Sequence, residues 1–193
     1  MKAITVSRQM GSQGSELAVQ VAQQLGWQRI SRALINQAAK AAGVPQVALA
    51  EIDELGLFGL HPTRQEQQAY LVQVETYTRT LADQGNIVIV GRAGQVILQN
   101  EPEVLHIRVV APLEKRVQWL QQRQKVSAQA AQTRLRESDR TRSHHLQEYY
   151  HHQIDDPILY HLIINTGCVD LSLAVNLVVQ CCQAGEIDST ARH

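Results

Sequence analysis

The first 26 residues constrain the fold more than any other stretch. Ala3 to Val6 is a short, mostly β-branched run that reads as a buried strand. It meets a turn of small residues, Gly11-Ser12-Gln13-Gly14-Ser15. Leu17, Ala18, Val21, Ala22 and Leu25 then recur at helical spacing, and Gly26 supplies a stop. Strand, glycine turn and helix in that order make half of a βα crossover unit, the connection that parallel strands require.

The order continues along the chain. Ser31 is placed to cap a second helix carrying Leu34, Ile35, Ala38 and Ala42, and Pro45 opens another reaching about Leu55. Residues 57–62, with Gly59 and Pro62, read as a loop. Tyr70, Leu71, Val74, Tyr77 and Leu81 define a long amphipathic helix over 63–84, closed by Gly85. Asn86 to Val90 is the clearest strand signal, followed by Gly91-Arg92-Ala93-Gly94. Val104 to Val110 is a further strand, and Pro112 opens a helix toward Arg123. Ser127 caps a polar, arginine-rich helix of about 20 residues. Leu162 to Asn165 is a last strand, and Asp170 caps a terminal helix. The expectation is an α/β fold with a mainly parallel sheet, its first strand central.

Apolar residues make up 44% of the 193 and charged residues 19%, which supplies a core and excludes a disordered chain. No apolar run approaches the roughly 20 residues of a membrane span, and the first residues carry no secretion signal. Three cysteines, two of them adjacent at Cys181 and Cys182, do not suit a disulfide framework, so the expected compartment is a reducing cytoplasm.

The net charge is zero, but arginine is concentrated. Seven of the 14 arginines lie between Arg108 and Arg142, where nine cations face three acids. A local arginine segment in a neutral chain suggests a compact anion such as phosphate, with a solvated basic helix face as the alternative; a nucleic-acid binder would be basic throughout. Ligands of parallel α/β sheets bind beyond the carboxyl ends of the strands. Residues 7–16 fall there, where small residues let backbone amides surround a phosphate. The run does not satisfy G-x-x-x-x-G-K-[ST]: Arg8 and Gln13 stand where the glycines would be and Gly14 where the lysine would be, while Ser15 keeps the hydroxyl. Arg92 projects from the next strand end. Arg136 and Arg140 are four apart on one helix, and Asp139 is one turn from Arg136 and Arg142. The histidine pairs His144-His145 and His151-His152 read as polar surface groups, with a metal site as the alternative.

These stretches resemble the cytidylate kinase-like family, a branch of the P-loop nucleoside monophosphate kinases. The resemblance runs through ITVSRQMGSQGSELA, GWQRISRALINQAAKAAGV, EIDE at 51–54, GNIVIVGRAGQVIL at 85–98, VLHIRVVAPLEKRV at 104–117, ESDRTRSHHLQEYY at 137–150 and DDPILYHLIINT at 155–166. It implies a single three-layer domain with a five-stranded parallel sheet, a helical acceptor-binding insert at about 31–84 and an arginine-rich helical lid at about 123–152. It implies phosphoryl transfer from ATP, with Mg²⁺, to a small nucleotide of the CMP or dCMP type. The phosphate cradle would be Gly11, Ser12, Gln13, Gly14, Ser15 and Glu16, with Ser15 on the metal. Arg8, Arg123, Arg140 and Arg142 would carry the transferring charge, and Arg32 and Arg92 would hold the acceptor. The family favours S-R-x-x-G-S-G-G, so Gln13 replaces a glycine. Ala93 stands at the aspartate of the Gly-Arg-Asp motif of cytidylate kinases, and Ser31 at the aspartate before the second helix. The alternative reading is a nucleotide-binding regulator with weak or no turnover.

Overall fold

The computed structural model describes residues 1–31, 35–36, 43 and 63–185. Five parallel strands form one sheet: β1 (Ala3–Arg8), β2 (Gln28–Ile30), β3 (Ile87–Val90), β4 (Val104–Val110) and β5 (Leu162–Asn165), in the order β2-β3-β1-β4-β5. The first strand is central and pairs with β3 from Ala3↔Ile87 and with β4 from Ala3↔Val104. Its carboxyl end therefore lies between the ends of β3 and β4, which places the segment after Arg8 in the middle of the ligand face.

Strand alternation sorts the core into two layers. Ile4 and Val6 of β1, Val88 and Val90 of β3, and Leu105 and Ile107 of β4 face one side. There they meet α1 (Gly14–Leu25), through Leu17 and Val21, and the C-terminal α6 (Leu171–Ala184), through Val175 and Val178. Ala3, Ile87, Ile89 and Val104 face the other side, toward α2 (Arg64–Gln84) and the short α3 (Gly94–Ile97). His106 and Arg108 of β4 fall on this second side by the same alternation. A third cluster joins α4 (Leu113–Gln124) to α5 (Ala128–Tyr150) through Leu120, Ala131 and Leu135, with Met10 of the turn after β1 packed against it.

The caps expected at Ser127 and Asp170 form, and Thr63 adds one that the sequence reading does not name. Thr63 and Glu66 make a reciprocal capping box at the start of α2, with Thr63 N–H donating to Glu66 Oε2 at 2.8 Å and Glu66 N–H to Thr63 Oγ1 at 3.3 Å. The backbone donor holds the Glu66 carboxyl below its ordinary value. Ser127 Oγ accepts from Ala130 N–H at 3.2 Å, and Asp170 Oδ1 from Leu173 N–H at 2.9 Å. Strand β2 has no apolar alternation because it is an edge strand with Gln28 and Arg29 exposed and only Ile30 buried. Strand β1 runs two residues further than its apolar pattern, to Arg8. Of the helix expected after Ser31 only Ile35 and Asn36 are described, and Ile35 N–H donates to Ser31 O at 3.3 Å. Arg32, most of the remaining 31–62 segment, the EIDE stretch and the Pro45 helix lie outside the described residues.

Among the described residues no helix is long and apolar enough to cross a membrane. The cysteines are free thiols: Cys182 is buried, Cys181 half-buried and Cys168 exposed.

Candidate active site

The turn after β1 is braced by its neighbours. Gln9 N–H donates to Val109 O at 3.0 Å, and Ala111 N–H donates to Gln9 Oε1 at 3.1 Å. Ser12, fully buried, donates its hydroxyl to Gln9 O at 2.9 Å and Val109 O at 3.1 Å. The Thr166 hydroxyl, after β5, donates to Ser12 O at 2.8 Å. Gln13 precedes α1 in the left-handed region, φ 60°, and its side chain makes no cap bond. The first-turn amides of α1 thus have neither an intrahelical acceptor nor a capping side chain. Gly11 and Gln13 to Glu16 line a cleft of about 580 Å³ with Trp119, Arg123 and Arg142 opposite. Amides plus the positive end of a helix make an anion site.

Gly14 is required by close approach. A Cβ there would lie 2.6 Å from Arg8 Cβ and 3.0 Å from Val109 Cβ. This accounts for the missing lysine of the P-loop pattern, since no side chain fits at position 14 without moving β1 or β4.

A second pocket opens beside the first, at the ends of β1 and β3. Ser7, Arg8, Gly91, Arg92, Ala93, Gln95, Thr141, Arg142, His145 and Ile154 are among its lining residues. Gly91, Arg92 and Ala93 have consecutive left-handed φ values of 78°, 59° and 52°. Two non-glycine residues in that region store strain, and such strain gathers at functional sites. The bend sends Arg92 back across the crevice, where its Nη2 donates to Asn36 Oδ1 at 2.6 Å and its guanidinium lies 5.9 Å from the Tyr70 ring centre. The Tyr70 hydroxyl donates to the same Asn36 oxygen at 3.3 Å. Burial pushes the nearby Tyr150 hydroxyl well above its ordinary range, and the Glu75 charge adds to the shift, so Tyr150 is neutral at every physiological pH.

Arg8 and Arg142 line both pockets. Arg8 Nη1 sits where a Gly91 side chain would begin, 2.6 Å from the position of that Cβ. Its guanidinium therefore points across to the β3 end rather than away from the sheet. Arg142 Nη1 donates to Arg8 O at 2.9 Å, tying α5 to the last residue of β1.

The other arginines separate by role. Arg123, exposed on the cleft wall, pairs with Glu16. Arg136 and Arg140 are exposed on the outer face of α5, and the structure does not bring Arg140 to either pocket. Asp139 pairs with Arg116 at 2.9 Å, not with the arginines one turn away on its own helix. Arg116, 5% exposed, also donates to Ala111 O at 3.0 Å and Met10 O at 3.3 Å. Arg108, 3% exposed, donates to Ser7 Oγ at 3.1 Å and Asp155 Oδ1 at 2.5 Å and stacks on Tyr160. Sequence reasoning missed both of these buried arginines. The signal was present: Arg108 interrupts the apolar run VLHIRVV, and Arg116 shares a helical face with Leu120. A charge at a core position must have partners.

Ser15 is exposed at the start of α1 on the cleft wall. Its lone hydroxyl suits Mg²⁺, which keeps most of its shell as water and phosphate oxygen. Among the described residues no group of three or more His, Cys, Asp or Glu side chains is arranged around a metal, the two histidine pairs included.

The comparisons with known proteins agree with this geometry. The model of the cytidylate kinase-like family matches residues 3–167. The chain belongs to the cytidylate kinase-like family. A cytidylate kinase from Methanocaldococcus jannaschii is 32% identical over 101 residues, which cover 51% of this chain and 56% of that protein. The chain thus spans only about half the length of that curated relative. Among solved structures, an uncharacterized protein from Eubacterium ventriosum superposes with a TM-score of 0.77 at 19% identity, over 95% of this chain and 99% of that one. Shikimate kinase from Acinetobacter baumannii, in complex with shikimate, superposes at 0.54 and 11% identity, over 97% and 96%. At such identities these two establish the shared P-loop kinase fold.

Proposed function

We propose that this family member binds ATP with Mg²⁺ at the Gly11–Glu16 loop and transfers the γ-phosphoryl group to a nucleoside monophosphate, CMP or dCMP first, held at the β3 end. The observation that carries the reading is the placement of Arg8 and Arg142 on the walls of both pockets. Two substrates that exchange a phosphoryl group need shared cations at their junction, and both arginines lie there.

An oxygen of the acceptor phosphate attacks the γ-phosphorus as the bond to the β-phosphate oxygen breaks, leaving ADP and the diphosphate. The attacking oxygen is already ionised, so no general base is needed. The protein's work is positioning and stabilising spread negative charge. The first-turn amides of α1 hold the donor phosphates, Arg8 and Arg142 hold the group in flight, and Arg92 holds the acceptor. Mg²⁺, when bound through Ser15, neutralises part of the phosphate charge. Arg123 exchanges Glu16 for phosphate at little cost, because an exposed pair contributes at most about 1 kcal/mol. The helix carrying Arg142 then acts as the lid, and its outer arginines, Arg136 and Arg140, contribute only general field.

The side-chain-free position 14 and Ala93 favour slow turnover. We expect rates below the roughly 1–100 s⁻¹ of protein kinases, with firm ATP binding. The test incubates the protein with ATP, Mg²⁺ and a panel of nucleoside monophosphates and follows ADP. ADP released in step with acceptor consumption, fastest for a cytidine nucleotide, is the expected result. Firm ATP binding with no ADP from any acceptor would assign the chain to the regulatory class instead.

A further inference from the structure

His106, fully buried on β4, and His161, just ahead of β5, stack with ring centres 5.1 Å apart and planes 9° apart. His106 Nε2 lies 3.2 Å from the Leu98 carbonyl, and its Nδ1 lies 2.7 Å from the Thr5 hydroxyl. A carbonyl only accepts, so Nε2 carries the proton and Nδ1 accepts from Thr5. The His106 backbone N–H donates to His161 Nδ1 at 2.8 Å, and the His161 N–H returns to the His106 carbonyl at 2.8 Å. An imidazole nitrogen thus stands in for a strand carbonyl, one residue before the β4–β5 register at Ile107↔Leu162. A ring nitrogen that accepts from an amide cannot also hold a proton. Protonation there sets N–H against N–H and leaves the His106 amide without its acceptor.

The segment that His161 ties to β4, residues 154–161, reaches the ligand face. Ile154 lines the pocket at the β3 end, and Asp155 pairs with buried Arg108 at 2.5 Å. Tyr160 is packed in the core, and its hydroxyl donates to Ile154 O at 2.8 Å. We propose that the His106–His161 pair is an acid-sensitive latch: a proton taken up at His161 Nδ1 frees residues 154–161 from β4 and loosens the wall that Ile154 and Asp155 give the ligand face. The inference does not depend on which ligand occupies that face. A histidine released to water takes up its proton near pH 6.5, at about the ordinary value for the residue. The latched bond excludes that proton, so at lower pH the open form binds more protons than the latched one. The latch is therefore fully formed above that pH and weakens by about tenfold for each unit below it. The elements that meet the pair carry few other titratable groups. Arg8 ends β1 at the ligand face, and α3 with Leu98 carries none. Arg108 of β4 is held by Asp155, Asp156 accepts from Ile158 N–H at 3.0 Å, and burial pushes the Tyr160 hydroxyl up. His151 and His152 precede the segment.

The test is amide hydrogen exchange of the full chain without ligand at pH 7.5 and 5.5, corrected for the intrinsic rate at each pH. Protection of residues 154–161 and of the His106 amide should fall about tenfold at pH 5.5. His161→Asn places an acceptor oxygen where Nδ1 sits, does not titrate and keeps every other group named here. Its protection over the same residues should change less than twofold. Wild-type protection that holds at pH 5.5, or that falls equally in the asparagine variant, would overturn the latch. A second reading needs only the wild-type protein, should the variant not fold. The ring-carbon shifts of His161 followed against pH should show its protonation and the loss of protection at one midpoint. A ring that becomes protonated while residues 154–161 stay protected would equally overturn it.

Discussion

Replacing Gly14 with valine should weaken ATP binding by at least tenfold, equivalent to about 1.4 kcal/mol or more. The effect follows from space. The new Cβ alone would start 2.6 Å from Arg8 Cβ and 3.0 Å from Val109 Cβ, on two central strands that cannot move apart without losing their ladder. The loop must therefore lift, and the first-turn amides of α1 turn off the phosphate. Calorimetric titration with ATP and Mg²⁺ reads the loss, and a thermal melt of the variant separates it from unfolding. Unchanged affinity in a folded variant would remove this loop from nucleotide binding.

The second large effect is on stability. Arg116→Ala should destabilise the protein by about 3 kcal/mol, the low end for breaking a buried ion pair because the Asp139 side chain keeps 30% exposure. The loss has three parts on the page: the Asp139 pair, the Ala111 carbonyl and the Met10 carbonyl. Met10 lines the cleft at the start of α1 and Asp139 lies on α5, so ATP affinity should fall as well. Asp139→Asn should cost less, since the arginine keeps both carbonyls. Urea unfolding of the two variants measures the difference. Equal, small changes of under about 0.5 kcal/mol would make this an ordinary surface pair.

The elements with strong alternation or helical spacing were legible before the structure. The buried strands β1, β3 and β4 read directly because parallel strands covered on both faces become continuous apolar runs. The capping residues Ser127 and Asp170 also read directly, because capping is a local interaction. Edge strand β2 did not, because exposure erases the apolar pattern at Gln28 and Arg29.

The arginine-rich stretch shows where a charge count stops. The seven arginines from Arg108 to Arg142 look like one set aimed at an anion. The structure divides them into scaffold (Arg108, Arg116), cleft wall (Arg123, Arg142) and solvent face (Arg134, Arg136, Arg140). Helical phase carries that division. Leu135 and Arg142 are seven residues apart and share the inner face of α5, whereas Arg136 and Arg140 share the outer one.

The most direct measurement is the amide spectrum of the isotope-labelled protein on adding ATP and Mg²⁺. An anion held by the backbone at the start of α1 shifts the amides of Gly11 to Glu16 most strongly, with smaller changes along the inner face of α5 around Arg142. The account predicts that pattern, saturating with the affinity that calorimetry gives. Saturating ATP that leaves the Gly11–Glu16 amides in place, or that shifts only the outer face of α5, would contradict it.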